Sequence, residues 1–353
     1  MSRFFLFLSA ATVISFVCAS LEKSDSWNLG HMKSLVTFGD SYTDIERLSY
    51  LINHNGSLPP IGWVQPQTSP ASDGGRSWPE YVSQYTGCNL YDYAVAGAVC
   101  SNNITPKYFD AIHRNMPTVL EYEVPTYLTE SKLITNGTEF LDIPASETVY
   151  SIWIGTNDLG EYALLTDSQV PGTNMVDFVD CVYNSLDGVY NNGGRYFVIM
   201  NIGPLQLSPE FGFPWNGAVG ENHYWPDKPS NITQIAFRMW ESVVMVNDDF
   251  KYRTPFEVLI SKRYAGANFA VMDTYGLISD MWHNPSAYLN GTAPLNVTGF
   301  ETYCPANQTC TIQNADSYLW YDEVHPSEQA FRKVAEEFVR VVQGTSVWAT
   351  YWG

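Results

Sequence analysis

Basic side chains are scarce in this sequence: Lys and Arg number 18 against 37 Asp and Glu, a formal charge of −19 over 353 residues. Nucleic acid or an anionic lipid surface would repel such a chain, so neither nucleic acid nor a stably bound membrane is expected as partner. Long apolar runs are scarce too. Beyond the first twenty residues none is long enough for a bilayer-spanning helix. No Gly-x-Ser-x-Gly pentapeptide occurs, which removes the nucleophile elbow of an α/β-hydrolase. Walker and dinucleotide-binding glycine patterns are missing. No Cys-x-x-Cys pair or histidine-rich cluster suggests a metal, and neither metal nor cofactor is expected. Acidic residues abound, but their spacing nominates no carboxylate pair of the kind a glycosidase needs.

What is present describes a globular chain, with 45% hydrophobic and 16% charged residues. Residues 1–19 read as a signal peptide: Arg3 supplies the positive start, Phe4 to Val17 the apolar stretch, and Val17-Cys18-Ala19 the cleavage site. Secretion follows as the expected localisation. Seven Asn-x-Ser/Thr sequons agree with it, at Asn55, Asn103, Asn136, Asn231, Asn290, Asn296 and Asn307. Cleavage leaves five of the six cysteines. Cys304 and Cys310 flank a short loop and are expected to pair, and Cys88 with Cys100 is the candidate for a second bridge, leaving Cys181 free. Sequence alone leaves that connectivity open. An odd cysteine permits a disulfide-linked dimer, but a monomer is expected.

After a polar leader over 20–33, short apolar runs alternate with helix-period segments. Leu35 to Phe38, Leu90 to Ala94, Thr148 to Ile154, Tyr196 to Ile202 and Phe269 to Met272 read as strands buried on both faces. Trp78–Tyr85, Met175–Tyr190 and Ile235–Asn247 carry helical spacing. The alternation implies an α/β fold with a mostly parallel five-stranded sheet between helical layers. Glu46 to Arg76 and Pro204 to Ser230 are rich in Pro, Gly and Ser and read as long loops above that sheet. Residues 20–353 are read as one domain, because strand candidates continue on either side of both loops.

Four places carry candidate chemistry. In Val36-Thr-Phe-Gly-Asp-Ser41-Tyr-Thr-Asp44 a buried strand ends at Gly39, and Ser41 lies beyond its carboxyl end, where parallel sheets place ligands. A Ser/Asp helix cap would account for the same residues. In Asp322-Glu-Val-His325-Pro326, Pro326 opens a helix with Phe331, Val334, Phe338 and Val341 on one face and Gly344 as its stop. His325 then stands at the N-cap, and Asp322 is placed to hold its tautomer. Ile152-Trp-Ile-Gly155-Thr-Asn157-Asp158 puts a side-chain amide just past a buried strand, able to donate to an oxyanion. Tyr93-Ala-Val-Ala-Gly97-Ala98 brings a backbone N–H close to a substrate. For Asn157 and Gly97 the ordinary alternative is a turn. Asp40 and Asp158 read as loop organisers.

In order and content these blocks resemble the GDSL/SGNH hydrolase superfamily over about residues 35 to 340, with Ser41, Gly97, Asn157 and His325 at its four named positions. One departure is Tyr42, where many members have Leu. The resemblance implies a flavodoxin-like α/β/α sandwich and ester hydrolysis with Ser41 as nucleophile, His325 as base and Asp322 orienting it. It also implies an oxyanion hole from the Ser41 and Gly97 N–H groups and the Asn157 amide. The sequon load and motif wording look similar to secreted fungal acetylesterases that deacetylate hemicellulose oligosaccharides. The expected substrate is therefore an acetylated (xylo-)oligosaccharide, with Trp63, Trp78, Trp215 and Trp225 as candidate sugar-stacking rings. A lipase or phospholipase for longer acyl chains is the alternative, and a non-catalytic carbohydrate-binding protein a third.

Overall fold

The structure is a computed structural model that describes residues 27–66, 71–72, 74–303, 311–312 and 314–353. The leader segment 1–19, Cys304, Cys310 and Asn307 lie outside the described residues. Six strands form the main sheet: β1 (Ser34–Gly39), β2 (Asn89–Asp92), β3 (Thr148–Trp153), β4 (Tyr196–Met200), β5 (Asn268–Met272) and β6 (Ala349–Trp352). Their order is β6-β5-β4-β3-β1-β2. Strands β1 to β5 run parallel, and β6 pairs antiparallel with β5. All five anticipated strands are present; the sixth was not anticipated. The central β1, β3 and β4 are buried along their whole length, whereas edge strand β2 buries only Asp92.

The chain steps from β1 outward to β2, then returns across β1 to β3 and continues the other way. Right-handed crossovers therefore place the connecting helices on opposite faces. Besides the short α1 (Arg47–Asn53) and α4 (Thr156–Leu159), helices α2 (Trp78–Thr86), α7 (Thr274–His283) and α8 (Glu328–Gln343) pack together, as do α3 (Val124–Glu130), α5 (Met175–Asn191) and α6 (Ile232–Pro255). This is the three-layer α/β/α sandwich in the flavodoxin-like strand order. The reversal between β1 and β3 opens a crevice at their carboxyl ends, the ligand position of such sheets.

Three local expectations are corrected. The stretch 27–33 is no loose leader: Trp27, Leu29 and Met32 are buried, and Trp27 Nε1 donates to the Val342 carbonyl at 2.7 Å. Ser327, not His325, caps α8, accepting from the Ala330 N–H, so Pro326 precedes the helix instead of opening it. The Phe331, Val334, Phe338 and Val341 face and the Gly344 stop are as anticipated.

The third correction concerns the cysteines. Cys100 pairs with Cys181 across 81 residues, and among the described residues Cys88 is left as a buried free thiol. Cys88 precedes β2 and Cys100 follows it, so they lie at opposite ends of a strand about 13 Å long, beyond the reach of a disulfide. Cys181 sits on α5, behind the loop that follows β2. Closing so long a loop restricts the unfolded chain by about 4–5 kcal/mol on the chain-entropy account. Burial pushes the Cys88 thiol pKa up, which keeps it unreactive.

Candidate active site

The strand β1 delivers Ser41 through a turn that only glycine allows. Gly39 has φ 154°, and a Cβ there would lie 2.2 Å from the Trp153 carbonyl oxygen of neighbouring β3. The turn is then tied by Asp40, whose Oδ1 accepts the Tyr42 N–H and whose carbonyl accepts those of Thr43 and Asp44. Asp44 goes further. Its carboxylate accepts the N–H groups of Glu46, Arg47 and Leu48, and that of Ala96 at 2.7 Å, so it locks the Ser41 block to the Gly97 block.

Ser41, His325 and Asp322 form one hydrogen-bonded chain. His325 Nε2 lies 2.7 Å from Ser41 Oγ, and His325 Nδ1 lies 2.8 and 3.0 Å from the two Asp322 oxygens. The Asp322 carboxylate also accepts the backbone N–H of Val324 and of His325. Tyr224 donates its hydroxyl to Asp322 at 2.7 Å from the long 204–230 loop. Burial alone would raise the Asp322 pKa; the imidazole, the backbone donors and Tyr224 together hold it below its usual value. Tyr42, the departure from the family pattern, donates to the Val324 carbonyl at 2.7 Å, with its ring edge against His325. It thereby fastens the Ser41 turn to the histidine segment.

Gly97 and Asn157 line the same pocket, about 400 Å³ in volume, as these three residues. Gly97 has φ 84°, and a Cβ there would press on Met116 at 3.0 Å. Asn157 donates through Nδ2 to the Ala98 carbonyl at 2.9 Å, which ties the two blocks together. Behind them Asp158 accepts the Cys100 N–H and the Thr105 hydroxyl, so its carboxylate points away from the pocket. Aromatic walls come from Tyr108, Phe109, Phe211 and Tyr321. A hydroxyl beside an imidazole held by a carboxylate, with N–H donors alongside, is suited to attack on an ester carbonyl.

The sequence model of the GDSL-like lipase/acylhydrolase family matches residues 35–338. The chain belongs to that family. An acetylesterase from Hypocrea jecorina is 40% identical over 324 residues, 91% of each chain. An acetylesterase from Thermothelomyces thermophilus is 24% identical over 89% of each. Among solved structures, an acetylxylan esterase from Geobacillus stearothermophilus aligns with TM-score 0.41 at 12% identity, covering 89% of this chain and 95% of that one. As a GDSL-like acylhydrolase with an acetylesterase relative this similar, the protein is a carboxylic-ester hydrolase.

Sequence reasoning missed Tyr224, Lys107 and Glu161 in this acylhydrolase's pocket. The first belongs to the 204–230 loop, which a buried ion pair anchors: Lys228 Nζ lies 3.2 Å from Glu210 Oε1, both side chains fully buried. A Lys and a Glu 18 residues apart in a Pro/Gly-rich loop carry no periodic signal. Of the four candidate stacking tryptophans, Trp78 and Trp225 are core residues, at 0% and 2% exposure. Trp215 is exposed and stacks on Phe213, and Trp63 is half-buried against Tyr50. Asn55, Asn103, Asn136, Asn231 and Asn290 are exposed; Asn296 is half-buried, its side-chain oxygen accepting the N–H of Gly299.

Burial raises the pKa of Asp40 to about 6, and of Asp92 and Asp158 to about 7. A carboxyl whose folded pKa exceeds its unfolded one binds protons more tightly when folded, so stability falls as pH rises between about 4 and 7. Asp322 is shifted the opposite way, and its contribution is lost only below about pH 4. The expected result is a Tm at pH 5 higher than at pH 8 by on the order of 5 °C in a thermal unfolding series. A Tm that rises from pH 5 to pH 8 would contradict it.

Proposed function

We propose that the protein is a secreted serine esterase that removes short acyl groups, acetyl above all, from hemicellulose-derived (xylo-)oligosaccharides. The observation that carries the catalytic part is the 2.7 Å contact between His325 Nε2 and Ser41 Oγ. Ser41 attacks the ester carbonyl as His325 takes its proton, and Asp322 stabilises the imidazolium that forms. The N–H groups of Ser41 and Gly97 and the Asn157 amide hold the oxyanion. Collapse of the tetrahedral intermediate expels the sugar oxygen, which takes the proton from His325 and leaves as the free hydroxyl, and water then cleaves the acyl-enzyme by the same steps.

The acetyl preference draws support from the Hypocrea jecorina acetylesterase and from a pocket near the small end of the range for ligand sites. Aromatic walls suit a sugar ring. Secretion draws support from the leader at 1–19, the exposed sequons and the Cys100–Cys181 bridge, which belongs in an oxidising compartment. No helix among the described residues is long and apolar enough to cross a membrane. We read 20–353 as one catalytic domain, because strands of a single sheet come from residues 34 through 352, and as a monomer, because the free Cys88 is buried and out of reach of a second copy.

Leu48, Met116, Phe211 and Val324 also line the pocket, and these apolar walls favour a second reading, a lipase for longer chains. A series of 4-nitrophenyl esters separates the two. Acetate is expected to exceed octanoate in kcat/KM by at least about tenfold, the low end of what even one poorly fitting methylene costs. A preference for octanoate would keep the catalytic residues and overturn the acetylesterase assignment. The base must be neutral, so kcat/KM should also fall as pH drops through the His325 titration, opposite in sign to stability.

A further inference from the structure

Two charged side chains that line the pocket, Lys107 and Glu161, have no part in the chemistry above. Lys107 Nζ donates to Asn157 Oδ1 at 2.9 Å and lies 3.3 Å from Glu161 Oε1. The Lys107 side chain is about a quarter exposed and that of Glu161 a tenth, so the pair is shielded but not dry. Lys107 belongs to the segment that leads into a two-stranded hairpin, Tyr108–Phe109 with Arg114–Asn115, and all three of Lys107, Tyr108 and Phe109 line the pocket. The ammonium is thus brought in from one element to meet an amide carried on another.

The Asn157 amide is held at both ends. Its oxygen receives the ammonium, and one of its two N–H bonds is given to the Ala98 carbonyl. A planar amide fixed at two points has the direction of its remaining N–H set by its own plane. A flip would be opposed twice over, by N–H groups facing the ammonium and by oxygen facing the Ala98 carbonyl. A charged donor on the carbonyl oxygen also withdraws electron density from the nitrogen. That strengthens the remaining N–H as a donor to developing negative charge. Glu161 keeps the ammonium directed at the amide and offsets its charge, which would otherwise oppose the imidazolium formed on His325.

We propose that Lys107 is a positioning residue for the oxyanion hole, acting through Asn157 by locking and polarising its amide. The proposal rests on the reading of Asn157 as an oxyanion donor.

A four-enzyme cycle on 4-nitrophenyl acetate tests it: wild type, Lys107→Met, Asn157→Ala and the double variant. Asn157→Ala is expected to lower kcat about 10²–10³-fold with little change in KM. Lys107→Met is expected to lower kcat about tenfold, again with KM nearly constant. Added to Asn157→Ala, it should cost less than about twofold, because the group it acts through is gone. A tenfold loss that persists in the Asn157→Ala background overturns the proposal, since Lys107 then acts on its own. So does a change confined to KM, which marks contact with substrate, and so does an unaffected kcat. Full activity of Asn157→Ala alone would instead reject the oxyanion reading. If Lys107→Met does not fold, Lys107→Gln, neutral and still polar, gives the same comparison.

Discussion

Ser41→Ala is expected to lower kcat on 4-nitrophenyl acetate by about six orders of magnitude, the loss seen when a serine hydrolase is deprived of its nucleophile. The size follows from what remains. His325 keeps its bonds to Asp322, and the N–H donors beside the pocket keep their positions, so the variant still binds and polarises the ester. What it lacks is the oxygen 2.7 Å from Nε2, the atom placed to attack the carbonyl. Water must substitute, without the pre-paid positioning of a bonded side chain. KM is expected to change little, because Ser41 contributes little to ground-state binding. Ser41 is 8% exposed and gives up one hydroxyl, so unfolding measured in parallel should stay within about 1 kcal/mol of wild type. A variant that keeps a tenth of the activity would remove Ser41 as nucleophile. Loss of activity with loss of the folded state would be a stability effect, which the unfolding curve exposes.

How much of this was legible in the sequence depended on how local each signal is. Buried parallel strands must be apolar on both faces, so β1, β3, β4 and β5 announced themselves as continuous runs. Ser41 and Asn157 were visible because each follows directly on such a run and a glycine. Asp322 and His325 were visible because three residues separate them. The β6 strand was missed because an antiparallel edge strand of four residues at the chain end carries no buried run. The Ser327 cap was legible in principle: a Ser followed by Glu328 opens many helices, and Pro326 at the first position was preferred to it. Cys100–Cys181, Tyr224–Asp322 and Lys107–Asn157 join elements 81, 98 and 50 residues apart. Nothing local encodes such pairs. They are set by where the sheet puts each loop, so the polar residues around the triad positions could be found only once the fold was in hand.

Asp322→Asn is expected to lower kcat by about 10⁴-fold, although the substitution changes one atom and little volume. The carboxylate accepts from four donors: the Val324 and His325 N–H groups on one oxygen, and the Tyr224 hydroxyl and the His325 ring on the other. An asparagine can keep both backbone bonds with its carbonyl oxygen, and so still cap the segment. Its NH₂ then stands where the second oxygen was, facing Nδ1. To accept that N–H, the imidazole must shift its proton to Nε2, where it points at Ser41 Oγ. The ring becomes a donor to the hydroxyl it should deprotonate, and the tautomer is wrong for a base. Tyr224 can rotate its hydroxyl to accept and so does not restore the proton to Nδ1. The negative charge that stabilises the imidazolium is lost as well. Capping and tautomer control therefore make opposite forecasts for one substitution. If Asp322 served only as a cap, Asp322→Asn would retain activity within about tenfold and an unchanged Tm. If it holds the tautomer, kcat collapses while the Tm stays near that of wild type, and kinetics at pH 8 beside a thermal melt decide between them.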